Sequence, residues 1–138
     1  MINQIINKQH QEIKQIIREL REDIYEESEV SANSLWIALK IGTLNGIMQM
    51  HLKYEDDYLY PALLNDKENE KLSDIVSKFV EEMGDLAQVF KDYQQKYLRH
   101  PEDIKQNTKE FVNDTKQILD AIAVRVDCEE EELFKTIM

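Results

Sequence analysis

Apolar residues recur along this chain at alternating spacings of three and four, the pattern of helices that bury one face. The first stripe, in a segment of about residues 2–28, is Ile6, His10, Ile13, Ile17, Leu20 and Ile24. The polar stretch from Ser28 to Ser34 ends it. Ser31, Asn33 and Ser34 are candidate N-caps for a second segment of about residues 34–64. That segment carries Leu44, Met48, His51, Glu55, Tyr58 and Ala62, and Pro61 is expected to kink or end it. A third, of about residues 69–98, shows Leu72, Val76, Phe79, Met83, Leu86, Phe90, Tyr93 and Tyr97. Pro101, after His100 and before Glu102 and Asp103, opens a fourth of about residues 101–137. Its stripe is Phe111, Thr115, Ile118, Ile122, Arg125, Glu129 and Leu133.

Four long helices joined by short polar links pack their neighbours antiparallel. The expectation is an all-α, up-down-up-down four-helix bundle forming a single domain over 1–138. Composition agrees, since the chain has only three Gly and two Pro and is dominated by helix formers. Charges interrupt every apolar run well short of the roughly 18 residues needed to span a bilayer. The opening residues MINQIINKQHQEIKQ lack the basic and small-residue features of a signal peptide, so a cytoplasmic location is expected.

The net charge is −11, from 28 acidic and 17 basic residues. Such a surface repels phosphate backbones and anionic lipid, which argues against nucleic acid and membrane as partners. It suits a metal cation, a basic protein partner or plain solubility, and leaves a homodimer open. The single Cys128 excludes an intrachain disulfide.

The informative feature is what interrupts the stripes. His10 lies on the first, His51 and Glu55 on the second, and Arg125 and Glu129 on the fourth. A buried unpaired charge is costly, so these groups must meet one another, a metal or water. His51 and Glu55, one turn apart, share a helix face and can ligate one cation, or form a solvated surface pair. Met48, Tyr58 and Ala62 on the same face speak for the buried alternative. His10 reads equally as a ligand or as a core histidine hydrogen-bonded to a neighbour. Met83 reads as a core filler, Cys128 as structural, and Tyr54 and Tyr58 as walls of the site. His100 reads as a cap or an exposed residue.

The segment HLKYEDDYLYPAL, His51 to Leu63, resembles the second-helix signature of hemerythrin-like (HHE) cation-binding domains. In that signature a His is followed four residues later by an acidic residue, then a further acidic residue and an apolar–aromatic–Pro group. RVDCEEEELF, Arg125 to Phe134, is similar to the family's fourth-helix segment when Leu133 and Phe134 are matched to Leu59 and Tyr60. The match sets Glu129 in the role of Glu55 and Arg125 where the family has His. In the third helix, EEMGDL has Met83 where the family has His.

The family holds two irons that share two bridging carboxylates. Carried over by position, the resemblance implies one complete half-site, His10, His51, Glu55 and Glu129, and a second that has lost its imidazoles to Met83 and Arg125. It therefore implies one non-haem iron or none, with zinc or manganese suiting the same donors, rather than a di-iron oxygen carrier. A guanidinium at position 125 offers fixed charge and a fork for carboxylates. Arg125 is expected to point inward and bridge Glu55 and Glu129. The alternative has it facing solvent while Val126 takes the core face.

The leading functional reading is a metal-binding module that senses or stores oxygen or iron, or responds to redox state. Alternatives are an interaction protein whose metal site has decayed and, ranked lower, a non-haem iron enzyme. A histidine phosphotransfer bundle needs an exposed histidine, which His10 on an apolar stripe does not provide.

Overall fold

The computed structural model describes the backbone of residues 2–64, 70–99 and 102–134, and the side chains of residues 4–63, 74–99 and 102–132. His100 and Pro101, and the side chains of Leu72, Leu133 and Phe134, lie outside the described residues. The described chain is helical with no strand. Among the described residues, seven α-helices succeed one another: α1 (Ile2–Asp23), α2 (Glu27–Ala32), α3 (Ser34–Tyr54), α4 (Tyr60–Leu64), α5 (Glu70–Tyr97), α6 (Glu102–Gln106) and α7 (Thr108–Cys128). Two π-helical segments, Glu55–Leu59 and Glu129–Phe134, extend α3 and α7. None of the described helices is long and apolar enough to cross a membrane.

The four long stripes pack into one bundle. Lys40 meets Asp23 while His51 meets Gln9, so α3 runs against α1. Arg21 meets Asp120 while Lys14 meets Glu130, so α7 also runs against α1. Tyr93 meets Thr115 while Glu82 faces Arg125, and α5 runs against α7. The first stripe is buried throughout, with Ile6, His10, Ile13 and Leu20 at zero exposure.

Two short helices were not legible as such. The polar stretch Ser28–Ser34, expected to end the first segment, overlaps α2, whose Glu27 and Glu29 complement the positive end of the helix and whose Val30 is fully buried. Asn33 precedes α3 but its side chain makes no cap; its Nδ2 instead donates to the Glu29 carbonyl at the end of α2. The fourth segment likewise divides at Asn107 into α6 and α7, and Ile104 anchors α6 in the core.

The second stripe is corrected beyond Glu55. Tyr58 is 57% exposed and Ala62 is exposed, whereas Leu59, Tyr60 and Leu63 are buried. The cause is the first π segment, where the Tyr60 N–H bonds to the Glu55 carbonyl five residues back. A π turn holds one extra residue, so every later side chain is rotated by one position. Pro61 follows at once; it cannot donate to the carbonyl four residues before it and crowds that carbonyl with its ring.

Apolar burial forms two clusters. The larger includes Ile13, Leu44, Met48, Met83, Phe90, Phe111 and Ile122; the smaller holds Ile6, Leu59, Tyr60, Leu63, Val76 and Phe79. Along α1, His10 falls between Ile6 of one cluster and Ile13 of the other. Along α3 and its extension, His51 and Glu55 fall between Met48 and Leu59. The polar residues thus occupy the seam between two dry regions.

Candidate metal centre

His10 on α1, His51 at the end of α3, and Glu55 and Glu129, the first residues of the two π segments, converge in this seam. Each offers one ligand atom, and these atoms all lie within 4.8 Å of one another. All four residues are buried, none more than 2% exposed. His10 Nε2 is 2.8 Å and His51 Nε2 is 3.1 Å from the same oxygen, Glu129 Oε2. His51 Nε2 also abuts Glu55 Oε1. The two imidazole rings meet edge to face, with centroids 4.8 Å apart. π turns frequently mark functional sites, and here each one begins at an inward carboxylate.

The outer nitrogens of both imidazoles are held by groups that the stripes did not single out. His51 Nδ1 donates to Gln9 Oε1 at 2.8 Å, and His10 Nδ1 faces Glu130 Oε1 at 3.3 Å. Lys14 Nζ holds both oxygens of Glu130, at 2.9 and 3.0 Å. This support fixes ring orientation and turns Nε2 of both rings toward the Glu129 carboxylate. Gln9 and Glu130 are each one residue in sequence from a candidate ligand, His10 and Glu129, and that adjacency was the available signal.

Arg125 points inward, being 7% exposed, as expected; the alternative of a solvent-facing Arg125 is overturned, although Val126 is buried beside it. Its Nε donates to Glu129 Oε1 at 3.1 Å and its guanidinium lies over the Phe79 ring at 4.3 Å. The expected direct bridge to Glu55 is corrected: Arg125 Nη2 donates to the Tyr60 hydroxyl at 3.2 Å, and that hydroxyl donates to Glu55 Oε2. The rotation introduced by the π turn is what brings Tyr60 between them. Met83 is buried in the larger apolar cluster, as a core filler would be. Tyr54 is half-buried against exposed Tyr58, so Tyr58 is not a wall of the site. Cys128 packs, partly buried, against the smaller cluster.

The electrostatics are those of two carboxylates sharing little water. Burial pushes the Glu55 carboxyl up, and the nearby Glu129 adds to this against the opposing His51. Burial also opposes charge on Glu129, but hydrogen bonds from His10 and His51 outweigh it and hold its carboxyl well below the usual range. For His51, burial disfavours charge, yet Glu129 and Glu55 against Nε2 push its pKa up to about 9. The site demands positive charge, and a proton on His51 supplies part of it.

A cation fits these residues better than protons do. Glu55 Oε1 is buried and receives no hydrogen bond, although His51 Nε2 lies against it. One imidazole N–H cannot serve two carboxylate oxygens on different sides. A single cation held by two imidazole nitrogens and two carboxylate oxygens would satisfy all four atoms together, a donor set suited to iron, manganese or zinc.

A family model described as the hemerythrin HHE cation binding domain matches residues 1–137 of the chain. No curated protein and no solved structure matches it significantly.

Proposed function

The chain belongs to the hemerythrin HHE cation-binding domain family, and on that premise we propose that it is a module holding one non-haem iron through His10, His51, Glu55 and Glu129. The observation that carries this reading is the convergence of four buried ligand atoms within 4.8 Å, one of them an unsatisfied carboxylate oxygen. Zinc or manganese would be accepted by the same donors, and iron is favoured by the family's chemistry. Iron, when bound, supplies a redox couple, which makes the module a sensor or store that responds to oxygen, iron supply or redox state.

The chain's own residues prepare the site in three ways. Gln9 and Glu130 fix the imidazole orientations, Tyr60 positions Glu55, and the two apolar clusters keep water out. Arg125 places a permanent positive charge against Glu129 on the side where the family's fourth-helix histidine would serve a second metal. That charge limits the module to one metal.

A second reading, a metal-free interaction protein, is favoured by Arg125 and a protonated His51 neutralising the two carboxylates by themselves. Titration of chelator-stripped protein with iron(II) under argon, and with zinc and manganese, separates the two. The metal-binding reading predicts saturable binding and a raised melting temperature for wild type, and neither for His51→Ala at unchanged helix content. Equal metal content in the two proteins would remove the site assignment.

A further inference from the structure

The outer face of α3 departs from every expectation for a solvated helix in so acidic a protein. From Ser34 to Tyr54 the chain has no Asp or Glu, although it carries 28 acidic residues in 138. α3 buries Ile37, Ile41, Leu44 and Met48 on its inner face, yet much of its outer face is also apolar. Leu35 is 60%, Trp36 68%, Leu39 56% and Met50 68% exposed. Between the leucines and the methionine, on the same stripe of three- and four-residue spacings, lie the exposed Gly42 and Gly46. A helix apolar all round is ordinarily covered on both sides.

We infer that this face is the interface of a homodimer, in which α3 of one copy packs antiparallel on α3 of a second copy about a two-fold axis near Gly42 and Thr43. Three observations select a second copy of this chain as the occupant.

The first is shape. Bulk lies toward the two ends of the stripe, at Leu35, Trp36 and Leu39 and at Met50, and the hollows at Gly42 and Gly46 lie between them. Nothing lies within 4 Å of a Cβ built on either glycine. A two-fold interface sets each patch against itself in reverse. Leu39 of each copy then meets Gly46 of the other, and Trp36 meets Met50.

The second is charge. Two chains of net charge −11 repel wherever carboxylates face each other. The α3 face presents none, and the antiparallel register carries exposed Lys53 of each copy to the start of the other's α3, where exposed Glu26, Glu27 and Glu29 precede it.

The third is area. Leu35, Trp36, Leu39 and Met50 together expose on the order of 500 Å2, most of the roughly 800 Å2 per partner that a specific interface buries, and the size of the largest, often functional, apolar patches on monomers.

Sedimentation equilibrium of the full chain over a range of micromolar concentrations tests this, with or without metal, because α3's outer face does not include the four site residues. Wild type should sediment at twice the chain mass of 16.4 kDa. Leu39→Glu and Gly46→Lys should each weaken dimerisation at least tenfold at unchanged helix content, since both positions face open space. Mixed together, these two variants should recover a heterodimer through the new ion pair, which fixes the antiparallel register. Val89→Glu, on the exposed face of α5, should leave the dimer intact. A wild-type monomer throughout the range would overturn the inference and leave the face to a different protein. A dimer unaffected by Leu39→Glu, or no recovery on mixing, would overturn it as well.

Discussion

Arg125 and Glu129 lie one turn apart at the end of α7, and the Glu129 carboxylate is divided between two environments. Its Oε1 accepts from the Arg125 guanidinium at 3.1 Å, while its Oε2 faces both imidazoles at 2.8 and 3.1 Å. A carboxylate in the family's bridging position thus has a metal-type environment on one side and a fixed organic cation on the other.

Replacing that cation tests the division. Arg125→Leu removes a charge-assisted hydrogen bond to a buried carboxylate and should cost about 1.5–3 kcal/mol. This is less than the roughly 3–5 kcal/mol of a buried charge left alone, because Glu129 keeps His10 and His51. The loss should be smaller at pH 5 than at pH 7.5, since Glu55, whose carboxyl is raised by burial, takes up a proton first and relieves the repulsion. Added divalent metal should restore part of it. Thermal melts of both proteins at the two pH values, with and without metal, give the comparison; a shift under about 0.5 kcal/mol, indifferent to pH and metal, is the signature of a solvent-facing arginine.

Tyr60 links Arg125 to Glu55 through one hydroxyl. Tyr60→Phe leaves Glu55 Oε2 and Arg125 Nη2 buried without that partner and should destabilise the chain by about 1–3 kcal/mol. Tyr58→Phe, three residues after Glu55 and so on its face in an unbroken α-helix but exposed here, should change stability by no more than about 0.5 kcal/mol. Denaturant unfolding of the pair reads the π turn directly, because an unbroken α-helix would reverse the order.

The pH dependence follows from His51. Its pKa rises from 6.5 to about 9 on folding, so in metal-free protein its stabilising contribution is complete below pH 6.5 and is lost as pH climbs through about 9. Wild type should therefore lose more stability than His51→Ala between pH 6.5 and 9.5. Metal must displace the same proton, so affinity should increase with pH up to about 9, with about one proton released from His51 per metal bound. Calorimetry in buffers of different ionisation enthalpy counts that proton, and an affinity independent of pH would be inconsistent with His51 as a ligand.

Much of this was legible from residue spacing, because burial follows the helical period wherever the helix is regular. The stripes through Ile6 to Ile24, Leu44 to Glu55 and Phe111 to Glu129 are buried as read, and the ionisable interruptions are the residues that meet. The period failed where the backbone departed from it. One extra residue in the turn after Glu55 moved Tyr58 and Ala62 outward and put Tyr60, not Arg125, against Glu55. Spacing also cannot show support from across the bundle, so Gln9, Glu130 and Lys14 were not singled out. α2 escaped because its single inward residue, Val30, makes no stripe.

A site for one metal, with Arg125 standing against the second, fixes the stoichiometry to be measured. Protein purified without chelator and without an affinity nickel column, loaded anaerobically with iron(II) and desalted, should contain one metal per chain by elemental analysis. Two metals per chain would show that Arg125 does not exclude the second, and none would show that the four converging ligands do not hold a first.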